Sequence, residues 1–415
     1  MTTEKINLLI QKGQEFQNKG DYYRAYYFYK RAFRQTNDIK ILFVMIDLVF
    51  YSQKSGLLIN QNLKYKLLEN IIDYAFNNNS EDKYIYQLFY YKLRLFREFN
   101  KMDIFKEFAE ENNLYLIKYF PIEQEIIHFF LETKNYNEAE KMLKNLSFDK
   151  SETYNLLKTF FIDKISYEKI LEEKKINFKS QKDRIESIKS DYEYIVLTSG
   201  NYEIFLYEMT NFFISLKKSS SKFLLTLYIH DTDYNQKERV KFTLENLNIE
   251  NYIIIFEDNF ISELSKTQIK AFYTANRYII SKDLLTSSNK PVFIFDADTI
   301  IYKDLLGYVI NNNKNDFCLA IKKNLRYAWT YFSAPHSIFY PTANTKKYLN
   351  LFEKYTYYCI KHNLIRWHVD QLALYVSFIM MDRFDEKLKI TNNSEQYSHK
   401  DSGEYFRHMH HIYKI

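Results

Sequence analysis

The spacing of apolar positions changes near the middle of the chain. Before about residue 165, apolar and small residues recur every three or four positions. In "INLLIQKGQEFQNKGDYYRAYYFYKRAFRQTND", Leu9, Gly13 and Phe16 share one helical face. After the Gly20-Asp21 turn, Ala25, Tyr29 and Ala32 share another. Small residues at 13, 25 and 32 let two helices approach closely, with aromatics filling the gaps. "KYKLLENIIDYAF", "YIYQLFYYKLRLFREF" and "HFFLETKNYNEAEKMLKNL" carry the same period, so residues 1–165 are predicted to be all-α. The charged stretch 166–190, "SYEKILEEKKINFKSQKDRIESIKS", has sparse apolar residues at helical spacing. It predicts one more helix, linking two domains.

From 191 the pattern becomes short continuous apolar runs: "YEYIVLTSG", "KFLLTLYIHD", "NYIIIFED" and "KPVFIFDAD". Helical stretches separate them, among them "NYEIFLYEMTNFFISL" and "KTQIKAFYTANRYIISKDLL". This alternation predicts an α/β domain over 191–415, with a mostly parallel sheet covered on both faces. Ligands of such sheets bind outside the carboxyl ends of the strands. Thr198-Ser199-Gly200-Asn201, His230-Asp231 and Asp296-Ala297-Asp298 all fall at such ends.

Composition narrows the chemistry. At 415 residues the chain is too long for one ordinary domain. It has only six glycines, none spaced for a G-x-G-x-x-G turn or a P-loop. Both of those motifs need glycine to bring backbone onto phosphate, so any phosphate here must be held by side chains or a metal. A net charge of +6 is too mild for a nucleic-acid protein, yet suits an anionic ligand or an anionic membrane surface. The 39 tyrosines and 35 phenylalanines fit the codon bias of an AT-rich genome and are not read as base-stacking residues. Cys318 and Cys359 make neither a disulfide framework nor a zinc site. "MTTEKINLLIQK" has no apolar signal-peptide region, and "LALYVSFIMM" is too short to span a bilayer. The expectation is a soluble, cytoplasmic chain that could still attach peripherally to a membrane.

The sharpest feature is "FIFDADTII". Side chains alternate along an extended strand, so Asp296 and Asp298 are expected to face the same way, with α-carbons roughly 6.6 Å apart. Both carboxylates could then reach one hard cation, or one could hold the metal and the other a sugar hydroxyl. Oxygen donors of this kind suit Mg²⁺ or Mn²⁺. Bridging a diphosphate, such an ion would neutralise charge on a departing nucleotide. The other D-x-D, Asp231-Thr232-Asp233, reads better as the start of a loop.

Two resemblances extend this reading. The helical residues at 9–32 resemble a tetratricopeptide (TPR) repeat, with Asn37 near the place of the usual proline. A weaker match follows at Phe130, Ala139 and Leu143. The resemblance implies a TPR-like array offering a face to a protein partner. "KPVFIFDADTIIYKDL" resembles the D-x-D strand of GT-A fold glycosyltransferases, most closely the family-8-like group. "YIVLTSGNYEIF" resembles their first strand and loop, which implies base and ribose contacts from Thr198, Ser199 and Asn201. "FYTANRYIISKDLL" resembles the helix whose arginine, here Arg277, reaches the donor. "WHVDQLAL" resembles the D-Q motif, which implies that Asp370 and Gln371 lie beside the transferred sugar. Asp370 also reads as an N-cap for "QLALYVSFIMM". The resemblance implies a donor that is a nucleotide-diphosphate sugar (a UDP-sugar first), retention of configuration, and a glycan, lipid-linked or protein acceptor.

Two departures stand out. "YFSAPHSIFYPT" lacks the family's Asn-x-Gly pattern, with Ser333, Ala334 and Pro335 in its place. The family's late histidine ligand corresponds to one of several here, with His408 and His410 ahead of His399 and His411. Two rival functions remain at this stage. One is a nucleotidyltransferase using the same carboxylates. The other is a non-catalytic scaffold with a degenerate sugar-nucleotide-binding domain.

Overall fold

The computed structural model describes the chain except residues 1–2, 52–59, 80, 177–180, 231, 259–263, 322–330, 367, 393–396, 399–405 and 409–415. The chain divides into two compact units, Met1–Lys150 and Ser151–Ile415.

The first unit is helical: α1 (Thr3–Asn18), α2 (Tyr22–Thr36), α3 (Ile39–Tyr51), α4 (Gln61–Asn78), α5 (Ile85–Glu98), α6 (Met102–Glu111), α7 (Phe120–Glu132) and α8 (Tyr136–Lys144). Gly20, at a φ of 74°, makes the turn between α1 and α2. Gly13 is needed where they cross, because a Cβ there would come 2.9 Å from the Tyr29 ring. Ala25, Tyr29 and Ala32 are buried, as their spacing predicts. Asn37 ends α2 in the left-handed conformation, its N–H donating to the Phe33 carbonyl. Deeper in the unit, Arg97 is fully buried between Glu125 (2.6 Å) and Glu132 (3.4 Å). A groove of about 620 Å³ opens between α6 and α8, with Tyr115, Phe129 and Phe130 among its lining residues.

The second unit begins with α9 (Glu152–Leu157) and α10 (Lys164–Glu172), then β1 (Gln181–Ser187). The single helix predicted for 166–190 is therefore corrected: its second half is a strand, antiparallel to β4 (Tyr252–Asp258) at the sheet edge. "QKDRIES" is charged enough to hide this from an apolar-run reading, as edge strands commonly are. The remaining elements are β2 (Tyr194–Asn201), a continuous helical run of α11 (Tyr202–Ile204), a π turn (Phe205–Met209) and α12 (Thr210–Ser219), β3 (Phe223–His230), α13 (Tyr234–Asn246), β4, and α14 (Lys266–Ser288). They continue with β5 (Val292–Phe295), β6 (Thr299–Ile301), α15 (Leu305–Asn312), β7 (Phe317–Ile321), β8 (Phe332–Phe339), α16 (Ala343–Lys361), α17 (Val369–Phe384), β9 (Ile390–Asn392), β10 (Tyr397–Ser398) and β11 (Phe406–His408).

The large sheet runs β1-β4-β3-β2-β5-β8-β7-β9, and its centre β4-β3-β2-β5 is parallel. This matches the predicted α/β class with a mostly parallel sheet. The chain winds outward through β2, β3 and β4, then returns to lay β5 on the other side of β2. That reversal makes the carboxyl ends of β2 and β5 a topological switch point, where open α/β sheets bind ligands. One sheet face carries Val196, Leu227, Phe256 and Phe293 into a core with Phe212, Phe213 and Leu216. The opposite face packs on α14, which also meets α16 and α17. A second, three-stranded sheet has the order β10-β11-β6.

Candidate active site

At the strand ends, neighbouring strands in register set Asn201 beside His230 and His230 beside Glu257. Side chains alternate along a strand, so Tyr228, His230 and Glu257 fall on the α14 face. There α14 presents Tyr273, Asn276 and Arg277 at i, i+3 and i+4, all three buried. The Tyr273 ring stacks on His230 with centroids 3.6 Å apart and planes 10° apart. The Tyr228 hydroxyl donates to the buried Glu257 carboxylate. Burial first, then that carboxylate, holds the Tyr228 hydroxyl well above its ordinary pKa.

Asp296-Ala297-Asp298 is not extended strand. Strand β5 ends at Phe295, and the Thr299 N–H donates to the Asp296 carbonyl at 3.2 Å, closing a four-residue turn before β6. This corrects the expectation that the two carboxylates face the same way along one extended strand, because Asp is a favoured turn residue and the β5 ladder stops short of it. The turn is pinned from behind. His336, opposite Phe295 on β8, shares a 3.1 Å hydrogen bond between its Nε2 and Thr299 Oγ1.

Arg277 joins three distant stretches of chain. Its Nη1 donates to Asp296 Oδ1, and its Nη2 donates to Asp370 Oδ2 at 3.4 Å. Burial alone would favour the neutral form of Arg277, but the carboxylates outweigh it and keep the guanidinium more firmly protonated than usual. Burial raises the Asp370 carboxyl above the ordinary aspartate value, opposed by Arg277. Asp370 lies in the first turn of α17, where the helix N-terminus favours an acid. It is not the N-cap: His368 holds that place at a φ of 68°, which corrects the capping expectation. Asp370 Oδ1 instead accepts from the Gln371 N–H at 2.8 Å. The side-chain Oε1 of Gln371 is buried with no hydrogen-bond partner among the described residues.

The structure brings together Arg277, Asp296, Asp370 and Gln371, with Asp298 on the same turn. Ser199 and Asn201 stand at the end of β2, and the Asn201 side chain caps the following helix by accepting from the Ile204 N–H at 2.9 Å. Thr198 shares the pleat of Val196, is fully buried, and faces away from α14. Asp233 caps α13, as its loop reading predicts, while Asp231 is outside the described residues. Of the late histidines, His399, His410 and His411 lie outside the described residues, as does Trp367. The backbone of His408 is placed: β11 runs antiparallel to β6 with His408 opposite Thr299, the residue after Asp298. Among the described residues no cluster of three metal-ligating side chains occurs.

Sequence reasoning missed His336 and the Tyr228–Glu257 pair. His336 sits directly after Ser333-Ala334-Pro335, where attention rested on a missing glycine pattern. A glutamate at the end of "NYIIIFED" was readable as one more polar strand tip.

No family model matches the chain, and no curated protein matches it. Among solved structures the chain is similar to mouse xyloside xylosyltransferase 1 in its apo form, with 12% identity over 49% of this chain and 85% of that one, at a TM-score of 0.32. It is similar to the apo form of the glycosyltransferase GlyE of Streptococcus pneumoniae TIGR4, with 16% identity over 50% of this chain and 46% of that one, at a TM-score of 0.33. It is also similar to the galactosyltransferase LgtC in complex with donor and acceptor sugar analogs, with 10% identity over 44% of this chain and 69% of that one, at a TM-score of 0.33. This chain spans under half of GlyE. The similar structures are glycosyltransferases, at TM-scores too low to establish a common fold.

Proposed function

We propose that the Ser151–Ile415 unit is a GT-A-like glycosyltransferase that moves a sugar from a nucleotide-diphosphate sugar to a glycan, lipid-linked or protein acceptor. The observation that carries this reading is the Arg277 bridge. It gathers Asp296 and Asp370, from the turn after β5 and from α17, at the switch point of a parallel sheet. A buried cation flanked by two acids suits a substrate that pairs a diphosphate with a hydroxyl-rich ring.

In this reading the bond from the anomeric carbon to the diphosphate oxygen breaks, and its electron pair leaves with the nucleoside diphosphate. An acceptor hydroxyl oxygen bonds to the anomeric carbon and loses its proton to solvent or to a neighbouring base. Arg277, permanently charged, faces the leaving diphosphate. A cation about 4 Å from a phosphate charge is worth on the order of 4 kcal/mol at an effective dielectric near 20. Asp370 accepts from hydroxyls of the transferred sugar. Gln371 Oε1 gains there the hydrogen bond it lacks among the described residues. Ser199, Asn201 and the His230–Tyr273 stack flank the base and ribose.

The residues fit a divalent cation of the Mn²⁺ or Mg²⁺ kind. Asp298 would supply carboxylate oxygen on the turn, and the strand position of His408, in backbone register with Thr299, makes that residue the candidate for a second ligand. Asp296, engaged with Arg277, is then the acid left for a sugar hydroxyl. When bound, the ion neutralises charge on the diphosphate. We read the helical unit as a TPR-like array, a reading that the close Gly13–Tyr29 helix packing supports, and a protein partner as what such an array would hold.

The test is incubation of the full chain with a panel of nucleotide sugars, with and without Mn²⁺. Free nucleoside diphosphate is the expected product. Release of pyrophosphate from nucleoside triphosphates, with none from sugar nucleotides, would replace this reading with nucleotidyl transfer.

A further inference from the structure

Two outer helices of the helical unit carry opposite charge. The exposed side of α2 presents Tyr23, Arg24, Tyr27, Lys30, Arg31 and Arg34, and the helix contains no acid. The exposed side of α6 presents Asp103, Ile104, Glu107, Glu110 and Glu111. Both stripes use positions i, i+1, i+4, i+7 and i+8, an arc of about 120° on a helix. Their apolar members stand well out, with Tyr23, Tyr27 and Ile104 at 63%, 52% and 43% exposed.

The surroundings do not cancel these charges. Among the described residues no carboxylate pairs with Lys30, Arg31 or Arg34, and no cation pairs with Asp103, Glu107 or Glu111. Asp21 caps α2 and pairs with Arg24 at 3.5 Å, and Asp38, past the helix end, is matched by Lys40. On the neighbouring α1, Glu4 and Glu15 are outnumbered by Lys5, Lys12 and Lys19. Lys106 flanks the α6 stripe and pairs with Glu110 at 3.8 Å. On α8, Glu138 and Glu140 are paired with Lys141 and Lys144.

Helix α4 lies between the two stripes. Phe33 of α2 meets Tyr74 of α4 with ring centroids 5.8 Å apart. Phe89 of α5 meets both Phe76 of α4, at 5.7 Å, and Phe108 of α6, at 5.9 Å. Helices α2, α4 and α6 therefore form one layer, packed on α1, α3, α5 and α7. The exposed side of α4 carries Leu63 (60%) and Tyr74 (44%) with a single charge, Lys66. The layer thus runs from positive, through nearly neutral, to negative.

We propose that this layer binds the same layer of a second copy of the chain. A uniformly anionic surface broad enough to cover α2 meets the acids of α6, and a cationic one meets the cations of α2. The partner that fits carries both signs in reverse order, and this chain does so itself. A copy turned 180° about an axis along α4 sets α2 over its α6 and α6 over its α2. The lengths agree: α2 spans about 22 Å and covers the roughly 15 Å of α6. Leu63 and Tyr74 then meet their own counterparts, and Lys66 on Lys66 is the like-charge meeting at the axis. Tyrosine and arginine are favoured in protein interfaces, and an arginine fork suits a carboxylate. The inference names the protein partner that the array reading leaves open, and it does not depend on glycosyl transfer.

The test is sedimentation of the full chain over a range of concentration and salt. The expected species is a dimer whose Kd rises with salt. Arg31→Glu/Arg34→Glu and Glu107→Lys/Glu111→Lys each raise that Kd by at least about tenfold, with melting transitions like that of wild type. The first variant is acidic on both stripes and the second is basic on both, so an equimolar mixture of the two forms a dimer again. Wild-type chain that stays monomeric at low salt overturns the proposal, as does either variant dimerising like wild type. A mixture that stays monomeric overturns it, and so do open assemblies larger than a dimer. Salt-sensitive binding of wild-type monomer to phosphatidylglycerol vesicles in place of self-association overturns it as well.

Discussion

Replacing Arg277 with methionine isolates the bridge that organises the site. The guanidinium is buried between Asp296 and Asp370. At 3.4 Å and an effective dielectric near 20, its attraction to Asp370 alone is about 5 kcal/mol before desolvation. Methionine fills similar volume but leaves Asp370 a buried carboxylate without its counter-charge. Breaking a buried pair in this way costs about 3–5 kcal/mol. The companion Asp370→Asn leaves the Arg277 charge still partnered by Asp296, so it costs less. The double variant removes both members of the pair, so its destabilisation falls short of the sum of the singles by about 1–3 kcal/mol. Urea unfolding of the four proteins, read by tryptophan fluorescence, measures this coupling. Both tryptophans, Trp329 and Trp367, fall by sequence within Ser151–Ile415, the unit that holds the bridge. Additivity within about 0.5 kcal/mol, or an Arg277→Met cost below about 1 kcal/mol, would refute the argument.

Three further outcomes follow from other contacts. His336→Ala removes the bond that pins Thr299, so it destabilises the second unit by about 1–3 kcal/mol and weakens sugar-nucleotide binding in calorimetry, whereas His336→Gln recovers part of both. Gly200→Val forces atoms against Ile204 Cγ2 and Met209 Cε, each 2.8 Å from the position of a Cβ, and costs about 1–3 kcal/mol of second-unit stability in the same urea assay, against no change if the helix start is loosely packed. In the first unit, burial and then Arg97 hold His128 well below its ordinary pKa of 6.5. A histidine with a depressed folded pKa stabilises above its unfolded pKa and loses that contribution as pH falls below it. The protection of α7 amides, taken relative to the intrinsic exchange rate at each pH, should therefore fall below about pH 6.5, and His128→Leu should flatten this dependence.

How much of this was legible follows from which interactions are local. The core strands announced themselves because parallel strands buried on both faces must be continuous apolar runs, and their polar tips mark the crevice. Arg277, Asp296 and Asp370 each stood out by residue type and position. Their mutual contact did not, because a hydrogen bond between residues 93 positions apart has no signature in local pattern. The edge strand 181–187 was hidden by its charges. The Asp296–Thr299 turn was hidden because "FIFDADTII" has the alternation of a strand, and only the end of the β5 ladder reveals the bend. Cys318 and Cys359 are both buried, with thiols pushed up to about 12 by burial, in keeping with their lack of any motif. No described helix is long and apolar enough to cross a membrane.

The central claim is that the Asp296–Asp298 turn, backed by Arg277, handles the diphosphate of a sugar donor. The measurement that tests it most directly is release of nucleoside diphosphate from nucleotide sugars by wild type and Asp298→Asn, with Mn²⁺ and with chelator, alongside melting curves of both proteins. The account predicts turnover by wild type with Mn²⁺ only, none by Asp298→Asn, and matching melting transitions for the two proteins without ligand. Full turnover by Asp298→Asn, or turnover that persists unchanged in chelator, would contradict it.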